Sequence, residues 1–380
     1  MKADRPILIA AGGTGGHLFP AEALSVALSR RGIAVELATD RRALKYGGTF
    51  PARAVHRIAA ATPTGGSLLS KALAALVLAR GTLVARGLVG RLRPLCVVGF
   101  GGYPSVPPML AAMQLGVPTL LHEQNAVLGR ANRFLARRVD AIATGFPALH
   151  GIDEKLRGKA VHTGNPVRPA VLEAARIAFP GFADGRLRLL VTGGSQGARI
   201  FSDVVPAALE LLSPDLRARI NLVQQVRGED EARVRDVYAR LRIVADVAPF
   251  FTDLPARMAG AHLVVARAGA STVSELAAVG RPAILVPFPF ALDQDQAANA
   301  AYLAAVGAAE VVRQADFSPQ WLAHRLRELT ADIAILKGRG EAARSAAVAD
   351  AADRLADLVM RIAEPSTRAQ WLRHSREKYS

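Results

Sequence analysis

The stretch that decides the fold runs from Ala266 to Ala300 and reads ARAGASTVSELAAVGRPAILVPFPFALDQDQAANA. An apolar segment from His262 to Val265 leads into it, and a second apolar segment runs from Ala283 to Val286 within it. The residues between them predict a helix. Short apolar runs on either side of a helix predict two neighbouring strands of a parallel sheet, and hence an α/β fold.

The start of this helix predicts an anion site. Ser271, Thr272 and Ser274, whose residue types favour N-cap positions, come after small residues and are expected to precede the helix that carries Glu275. Backbone N–H groups at the positive end of a helix attract phosphate. The alternative is an ordinary turn with a solvated helix start. The residues that we expect at the anion site are Ala270, Ser271, Thr272, Val273, Ser274 and Glu275.

A polar cluster follows the second strand, from Asp293 to Asn299. Ligands of open α/β sheets bind beyond the carboxyl ends of the strands, so this cluster and the anion site are expected to be neighbours. Glu275 suits the paired hydroxyls of a ribose, and Gln296 suits those of a sugar. Together they predict a pocket for a nucleotide diphosphate that carries a sugar.

The sequence GGTGGH, from Gly12 to His17, follows another predicted strand near the N-terminus. Its glycines let the backbone approach a phosphate. A dinucleotide-binding fingerprint is excluded because Leu18 stands where the third glycine would be. His17 is a candidate general base for a sugar hydroxyl, and Glu123 in the later sequence HEQN is the competing candidate.

Further polar motifs follow the predicted strands in both halves. Asn125 of HEQN can donate to and accept from a sugar. GGSQGAR, from Gly193 to Arg199, echoes GGTGG in the same strand-to-helix position, and its Ser195 could bind a nucleotide phosphate. The echo predicts two Rossmann-like domains that face each other across a cleft. We expect domains at residues 1–165 and 166–349, with residues 350–380 returning to the first domain.

The composition fits a two-domain enzyme with an anionic partner. Of the 380 residues, 51% are apolar, and the single cysteine, Cys96, excludes a disulfide framework. The net charge is +16, and almost all of it lies in residues 1–190, where 25 basic residues face 10 acidic ones. The N-terminus lacks the apolar run of a signal peptide, so we expect a cytoplasmic protein.

One apolar segment, Ser67 to Arg93, predicts contact with a membrane surface. It carries basic residues at intervals, and the alternative is an amphipathic helix packed on the sheet with its arginines solvated. The segment of residues 94–121 is also long and nearly uncharged. Prolines and glycines interrupt this segment repeatedly, which excludes a membrane-spanning helix.

The motifs GGTGGH, HEQN, GNPVR, GGSQGAR, GASTVSE and Gln296 before AANA together resemble glycosyltransferase family 28, in particular its peptidoglycan enzymes. The resemblance implies the GT-B architecture. It also implies inverting transfer of N-acetylglucosamine from UDP-N-acetylglucosamine to lipid I, which forms lipid II, at the cytoplasmic face of the inner membrane. Other cell-wall enzymes are possible partners. The site residues that it implies are Thr14, Gly15, Gly16, Arg168 at the diphosphate, and Phe251, whose main chain would hold the uracil.

The sequence also has features of a metal-dependent enzyme, of other UDP-sugar enzymes and of a nucleic-acid-binding protein. Asp293-Gln294-Asp295 has the spacing of a metal-binding DxD motif, but helix N-termini and Arg168 already offer positive potential, so we expect neither metal nor cofactor. A UDP-sugar epimerase, or another UDP-sugar-dependent lipid glycosyltransferase of the same fold, would share the donor site. The epimerase would need no basic, apolar first half. A nucleic-acid-binding protein would fit the charge, but aromatics are only 5% and no recognition module is visible, so we expect no nucleic acid.

Overall fold

The computed structural model describes residues 5–12, 15–40, 50–62, 67–194, 197–332 and 334–377. It divides into two compact units. Unit 1 comprises Met1–Arg168 and Asp350–Ser380, and unit 2 comprises Pro169–Ala349. Each unit holds one sheet whose strands are all parallel, with helices between them. The predicted α/β class is therefore confirmed.

The strands are numbered along the chain. They are β1 (Ile7–Ala10), β2 (Val35–Thr39), β3 (Ala54–Arg57), β4 (Cys96–Gly99), β5 (Thr119–Glu123), β6 (Ala141–Thr144), β7 (Ala160–His162), β8 (Leu187–Thr192), β9 (Ile220–Gln225), β10 (Val244–Ala248), β11 (Leu263–Ala266), β12 (Ala283–Leu285) and β13 (Ala309–Val311).

The helices are numbered in the same way. They are α1 (Gly15–Arg30), α2 (Leu68–Leu92), α3 (Val106–Gln114), α4 (Arg130–Ala136), α5 (Glu154–Arg157), α6 (Pro169–Ala174), α7 (Arg199–Glu210), α8 (Pro214–Ala218), α9 (Glu231–Arg240), α10 (Leu254–Ala259), α11 (Ala270–Val279), α12 (Asp295–Ala305), α13 (Pro319–Ala331), α14 (Ala334–Ser345), α15 (Ala351–Ala363) and α16 (Pro365–Glu377).

The sheet of unit 1 has the order β3-β2-β1-β4-β5-β6-β7. The chain moves outward from β1 in one direction and from β4 in the other, so the order reverses between these two strands. β1 (ILIA) and β4 (CVVG) are buried along their whole length, as expected for strands covered by helices on both faces. The loops after β1, β4 and β5 therefore start from one edge of the sheet.

The sheet of unit 2 repeats this plan with the order β10-β9-β8-β11-β12-β13. Here the order reverses between β8 and β11, which pair directly. β11 also pairs with β12, so the two strands predicted from the opening stretch are neighbours. The loops after β8, β11 and β12 thus begin side by side at the carboxyl edge.

The segment after unit 2 packs on unit 1. Apolar residues of α15, including Leu355 and Val359, join the core formed by β1 and α1. In α16, Arg368 forms an ion pair with the nearly buried Asp140 at 2.9 Å. The indole N–H of Trp371 donates to the Asp140 carbonyl at 3.1 Å. Trp371 is therefore a packing residue of unit 1.

Helix α2 combines a buried face with an exposed apolar face. Length and composition alone would let α2 cross a membrane, as they would for some core helices of soluble proteins. Ala85, Leu88 and Val89 are buried in the core of unit 1. Leu69 and Leu83 are 72% and 71% exposed. α2 therefore lies along the surface of unit 1 with leucines on its outer side.

Candidate active site

His17 lies at the carboxyl edge of the unit 1 sheet, in the first turn of α1. It follows the loop after β1, next to the point where the strand order reverses. The turn after β4 packs against its ring. A Cβ atom added to Gly102 would lie 3.3 Å from His17 Nε2, so the glycine leaves space beside that nitrogen. The position is suited to a side chain that reacts with a ligand at this edge.

A chain of hydrogen bonds runs from His17 into the core. His17 Nδ1 lies 3.0 Å from Gln124 Oε1, and Gln124 Nε2 lies 2.9 Å from His122 Nδ1. Gln124 Nε2 also donates to the His122 carbonyl at 3.0 Å. His122 Nε2 lies 3.3 Å from the Gly164 carbonyl. We call these three side chains the histidine relay.

Both histidines of the relay are held in the neutral form. Burial lowers the pKa of His122 to about 4. Burial also lowers the pKa of His17, although the Gln124 side chain and the Phe100 carbonyl oppose this shift. A neutral imidazole can accept a proton, so His17 has the protonation state that a general base needs near pH 7.

Glu123, the competing base, is bonded to its own loop. Its carboxylate accepts from the Asn125 and Gly129 N–H groups at 3.0 and 2.9 Å, and from Asn132 Nδ2 at 2.8 Å. Burial raises the pKa of Glu123, and these hydrogen bonds oppose the shift. Glu123 thus shapes the turn that carries Asn125. The side-chain nitrogen of Asn125, Nδ2, also lies 3.4 Å from Glu123 Oε1.

Arg168, the last residue before unit 2 begins, stacks on a residue of α1. Its guanidinium lies 4.1 Å from the centre of the Phe19 ring. Phe19 in turn contacts Gly15, since a Cβ atom at Gly15 would lie 3.0 Å from the ring. Gly15 and the exposed Gly16 open α1. Arg168 therefore lies near the start of α1, and Thr14 falls outside the described residues.

In unit 2, Gln225 holds the glycine loop that follows β8. Its Oε1 accepts from the Thr192 hydroxyl at 2.8 Å and from the Gly193 N–H at 3.2 Å, and its Nε2 donates to the Gly194 carbonyl at 2.9 Å. A Cβ atom at Gly193 would lie 2.2 Å from the Ala198 nitrogen, so only glycine fits there. Ser195 lies outside the described residues.

Helix α11 begins earlier than the sequence suggested. Its N-cap is Gly269, which forms no side-chain cap, and the helix starts at Ala270. The prediction that Ser271, Thr272 and Ser274 precede the helix as capping residues is wrong, because they lie inside its first two turns. A glycine cap leaves the first N–H groups of α11 without a side-chain acceptor, which favours an anion there.

Gln296 joins the loops after β11 and β12. Its Oε1 accepts from the Phe288 N–H at 2.9 Å and from the Ala268 N–H at 3.3 Å. Asn299, which is fully buried, donates to the Ala268 carbonyl at 3.2 Å. The amide of Gln296 is therefore at the predicted edge, although its oxygen is bonded to the backbone. Glu275 is buried on α11 at 7% exposure.

Arg267 fixes the start of the same loop. It donates to the Val286 and Pro287 carbonyls at 3.0 and 3.2 Å, and to Gln314. Its guanidinium also lies 5.3 Å from the Phe288 ring centre. Burial, followed by the charge of a nearby arginine, lowers its pKa to about 10, so it stays cationic at neutral pH. Arg267 adds positive charge at this edge of unit 2.

The remaining predicted positions lie on the same side of unit 2. Phe251 follows β10 and precedes α10, and its ring is buried under Arg257, 4.2 Å away. Asp293 and Gln294 have left-handed backbone conformations, and Asp295 is the first residue of α12. Burial raises the pKa of Asp295. Among the described residues no cluster of three or more His, Cys, Asp or Glu side chains could hold a metal ion.

Comparisons with known proteins agree with this geometry. Residues 7–144 match the glycosyltransferase family 28 N-terminal domain, and residues 188–355 match the family 28 C-terminal domain. A protein of Methylobacterium radiotolerans is 58% identical over 94% of this chain and 97% of its own length. It is named UDP-N-acetylglucosamine--N-acetylmuramyl-(pentapeptide) pyrophosphoryl-undecaprenol N-acetylglucosamine transferase. The same name belongs to a Rhodopseudomonas palustris protein that is 57% identical over 95% of this chain and 99% of its own length.

The chain belongs to the MurG family. The crystal structure of Acinetobacter baumannii MurG is 29% identical, covers 94% of this chain and 99% of that one, and has a TM-score of 0.75. The expected GT-B class is confirmed by this match.

Sequence reasoning missed three residues that organise the two edges of this MurG family member. Gln124 bridges two histidines, Gln225 holds a glycine loop, and Arg267 joins two loops. Each stands within a few residues of a predicted strand end, and an amide or guanidinium directly after a buried apolar run is the signal that could have identified them.

The depressed pKa of His122 predicts a stability that depends on pH. In the unfolded chain His122 has an ordinary histidine pKa of about 6.5, whereas in the folded protein its pKa is about 4. Between these two pH values the unfolded chain therefore binds more protons at His122 than the folded protein does. The free energy of unfolding consequently decreases as the pH falls from about 6.5 to about 4. Between pH 7 and 5 the contribution of His122 is about 2 kcal/mol. Urea unfolding at both pH values should show this loss in the wild type and a correspondingly smaller loss in His122→Gln. Equal losses in the two proteins would contradict the assignment, provided that their near-UV circular dichroism agrees at pH 8.

Proposed function

We propose that this protein transfers N-acetylglucosamine from UDP-N-acetylglucosamine to undecaprenyl-pyrophosphoryl-N-acetylmuramyl-pentapeptide, known as lipid I, to form lipid II of peptidoglycan. The observation that carries the proposal is 58% identity, over nearly the whole length of both chains, to a transferase of that name. A UDP-sugar epimerase or a nucleic-acid-binding protein fits less well, because the match covers both domains of the transferase family.

Unit 1 supplies the general base in this proposal. His17 is neutral, lies at the carboxyl edge of the sheet, and has space beside Nε2. Glu123 is the weaker candidate because both of its carboxylate oxygens accept hydrogen bonds within its own loop. The acceptor hydroxyl loses its proton to His17, and its oxygen attacks the anomeric carbon of the donor with inversion. Asn125 and the start of α1, with Thr14, Gly15 and Gly16, contact the acceptor.

Unit 2 supplies the donor site. The uncapped N–H groups at the start of α11 and the glycine loop with Ser195 bind the diphosphate, and Arg168 contributes a further charge. Glu275 binds the ribose hydroxyls, Gln296 binds the sugar, and the main chain at Phe251 binds the uracil. The remaining donor contacts come from the first turns of α11. These contacts involve Ala270, Ser271, Thr272, Val273 and the next residue of the helix, Ser274.

The departing UDP is stabilised by fixed positive groups. Backbone N–H groups at the start of α11 lie at the positive end of that helix, which favours the negative charge that develops on the leaving diphosphate. Arg267 remains cationic at this edge. We therefore propose that transfer proceeds without a metal ion or another cofactor.

The acceptor lipid requires contact with a membrane, and α2 is the surface that we propose for it. Leu69, Leu73, Leu76 and Leu83 lie three, four or seven residues apart, which places them on one helix face, and all are at least 55% exposed. Arg80 lies on the same face and is exposed. Leucines that enter the bilayer beside arginines that meet anionic headgroups fit peripheral binding at the cytoplasmic face of the inner membrane.

The experiment that tests the function is a transfer assay. Purified protein is incubated with radiolabelled UDP-N-acetylglucosamine and lipid I in detergent, and the lipid fraction is extracted and counted. Label in the lipid fraction that depends on both lipid I and the protein supports the proposal. Release of free N-acetylglucosamine, or its epimerisation without lipid labelling, would contradict it.

Two variants separate the proposed base from the donor site. His17→Ala should lower kcat by about 100-fold or more while the KM for UDP-N-acetylglucosamine stays within about twofold, because the base acts in the transition state. Glu275→Ala should mainly raise that KM, because it removes a contact present in both ground and transition states. Steady-state kinetics check both. Small and equal effects would show that the site is misplaced.

Metal independence is tested in the same assay. Turnover should be unchanged after the protein and substrates are treated with EDTA, since positive groups of the chain stabilise the leaving diphosphate. Abolished turnover that returns with a divalent cation would contradict this mechanism. A parallel loss in Asp293→Asn or Asp295→Asn would locate the metal at the DxD sequence.

Membrane binding is tested with vesicles. The double variant Leu69→Glu, Leu73→Glu should bind anionic vesicles at least about tenfold more weakly in sedimentation, because charged residues replace the inserting face. Leu211→Glu is the matched control, since Leu211 is 45% exposed but lies on unit 2. Equal binding by the α2 double variant and the wild type would exclude α2 as the membrane surface.

A further inference from the structure

We propose that Gln124 and His122 are positioning residues that fix the tautomer of His17, so that its Nε2 carries the lone pair that accepts the proton. The inference rests on the proposed function for its catalytic meaning. The tautomer itself follows from hydrogen-bond chemistry and can be measured without the reaction. It assigns roles to two side chains of the HEQN sequence.

The deep end of the histidine relay is fixed by a backbone carbonyl. His122 Nε2 lies 3.3 Å from the Gly164 oxygen, which can only accept a hydrogen bond. The ring is fully buried beside Phe100, at 5.2 Å between ring centres, so it stays neutral and carries one proton. That proton must lie on Nε2. His122 Nδ1 is consequently an acceptor.

The orientation of the Gln124 amide follows from this. Its nitrogen faces two acceptors, His122 Nδ1 at 2.9 Å and the His122 carbonyl at 3.0 Å. A reversed amide would place an oxygen against both of them, with no hydrogen to share. The two N–H bonds of Gln124 are thus used within the core, and its oxygen is directed to His17.

The oxygen of Gln124 determines which nitrogen of His17 is protonated. An amide oxygen accepts only, and it lies 3.0 Å from His17 Nδ1, so Nδ1 carries the proton. The ring also interacts with the Phe100 carbonyl, but less strongly than with Gln124, so the single proton of the neutral ring stays on Nδ1. Nε2 keeps its lone pair, on the side of the Gly101–Gly102 turn, where the missing side chains leave space. The neutral ring therefore presents its basic nitrogen at the edge of the sheet.

The relay orients the base without carrying the proton further. When the acceptor reacts, its O–H bond breaks, a bond forms between that hydrogen and His17 Nε2, and the electron pair stays on the acceptor oxygen. That oxygen bonds to the anomeric carbon as the bond from this carbon to the diphosphate oxygen breaks, and UDP leaves with the electron pair of the broken bond. His17 becomes a cation that still donates from Nδ1 to Gln124. Glu123 takes no part, because its carboxylate accepts from Gly129, Asn125 and Asn132.

The test is an NMR measurement on protein labelled with ¹⁵N-histidine. Two-bond ¹H–¹⁵N spectra at pH 8 distinguish the protonated nitrogen of each neutral ring, and the spectrum of His17→Gln identifies the His17 signals among those of the eight histidines. We expect Nδ1–H at His17 and Nε2–H at His122. An Nε2–H tautomer at His17 in the wild type would overturn the proposal.

Two variants of Gln124 link the tautomer to turnover. Gln124→Met keeps the side-chain length but cannot accept, so His17 should lose its fixed Nδ1–H form and kcat should fall by about tenfold or more at an unchanged KM for UDP-N-acetylglucosamine. Gln124→Glu loses the two N–H bonds to His122 but can still accept from His17 Nδ1, so it should keep more of the His17 Nδ1–H form than the methionine variant and exceed that variant in kcat. Gln114→Met, at an exposed glutamine of the same unit, is the matched control and should resemble the wild type.

The outcomes distinguish this inference from the proposed function. If Gln124→Met keeps both the Nδ1–H form and full turnover, the positioning role is wrong even though the transferase activity stands. If the wild type shows the expected tautomers but transfers no sugar to lipid I, the proposed function is wrong and the hydrogen-bond assignment stands.

Discussion

The ordered edges of both sheets depend on buried amide side chains that satisfy polar groups beyond the strand ends. A parallel sheet covered by helices on both faces leaves its carboxyl edge rich in N–H and C=O groups that need partners. Gln225 in unit 2 bonds to several such groups at once, and Gln124 in unit 1 bonds to the His122 carbonyl and to two imidazole rings. An amide can do this because it donates and accepts from one rigid plane, without the desolvation cost of a buried charge. The loops that hold the candidate site residues are fixed in this way.

The two units use the same plan for different chemistry. In unit 1 the glutamine bonds to imidazole rings, and the result is a neutral, oriented histidine at the sheet edge. In unit 2 the glutamine bonds to the glycine loop, and the neighbouring helix α11 begins at a glycine with no side-chain cap. The first arrangement suits proton transfer and the second suits anion binding. Each follows from which polar groups the loops leave unsatisfied.

The sequence allowed the fold class and the sites at the strand ends to be predicted, because apolar strands and glycine turns are local signals. It placed His17, Glu123 and Gln296 beside strand or helix ends, and the structure has them there. It could not show that Gln296 joins the Ala268 N–H to its own loop, or that Gln124 links His17 to His122, because Gln296 lies 28 positions from Ala268 and Gln124 lies 107 positions from His17. The start of α11 was misjudged because Gly269 can occupy the N-cap as serine does, so the serines that follow gave a misleading signal.

The return of the chain to unit 1 affects the order in which the molecule can fold. The core under β1 and α1 includes Leu355, Val359 and Ile362 of α15, which follow the whole of unit 2 in the sequence. During synthesis, unit 2 has all its strands and helices before that core can close. The part of this apolar face that α1 does not cover therefore stays exposed until α15 has been synthesised. A chaperone that shields it would act on the first half of the chain while the second half is still being made.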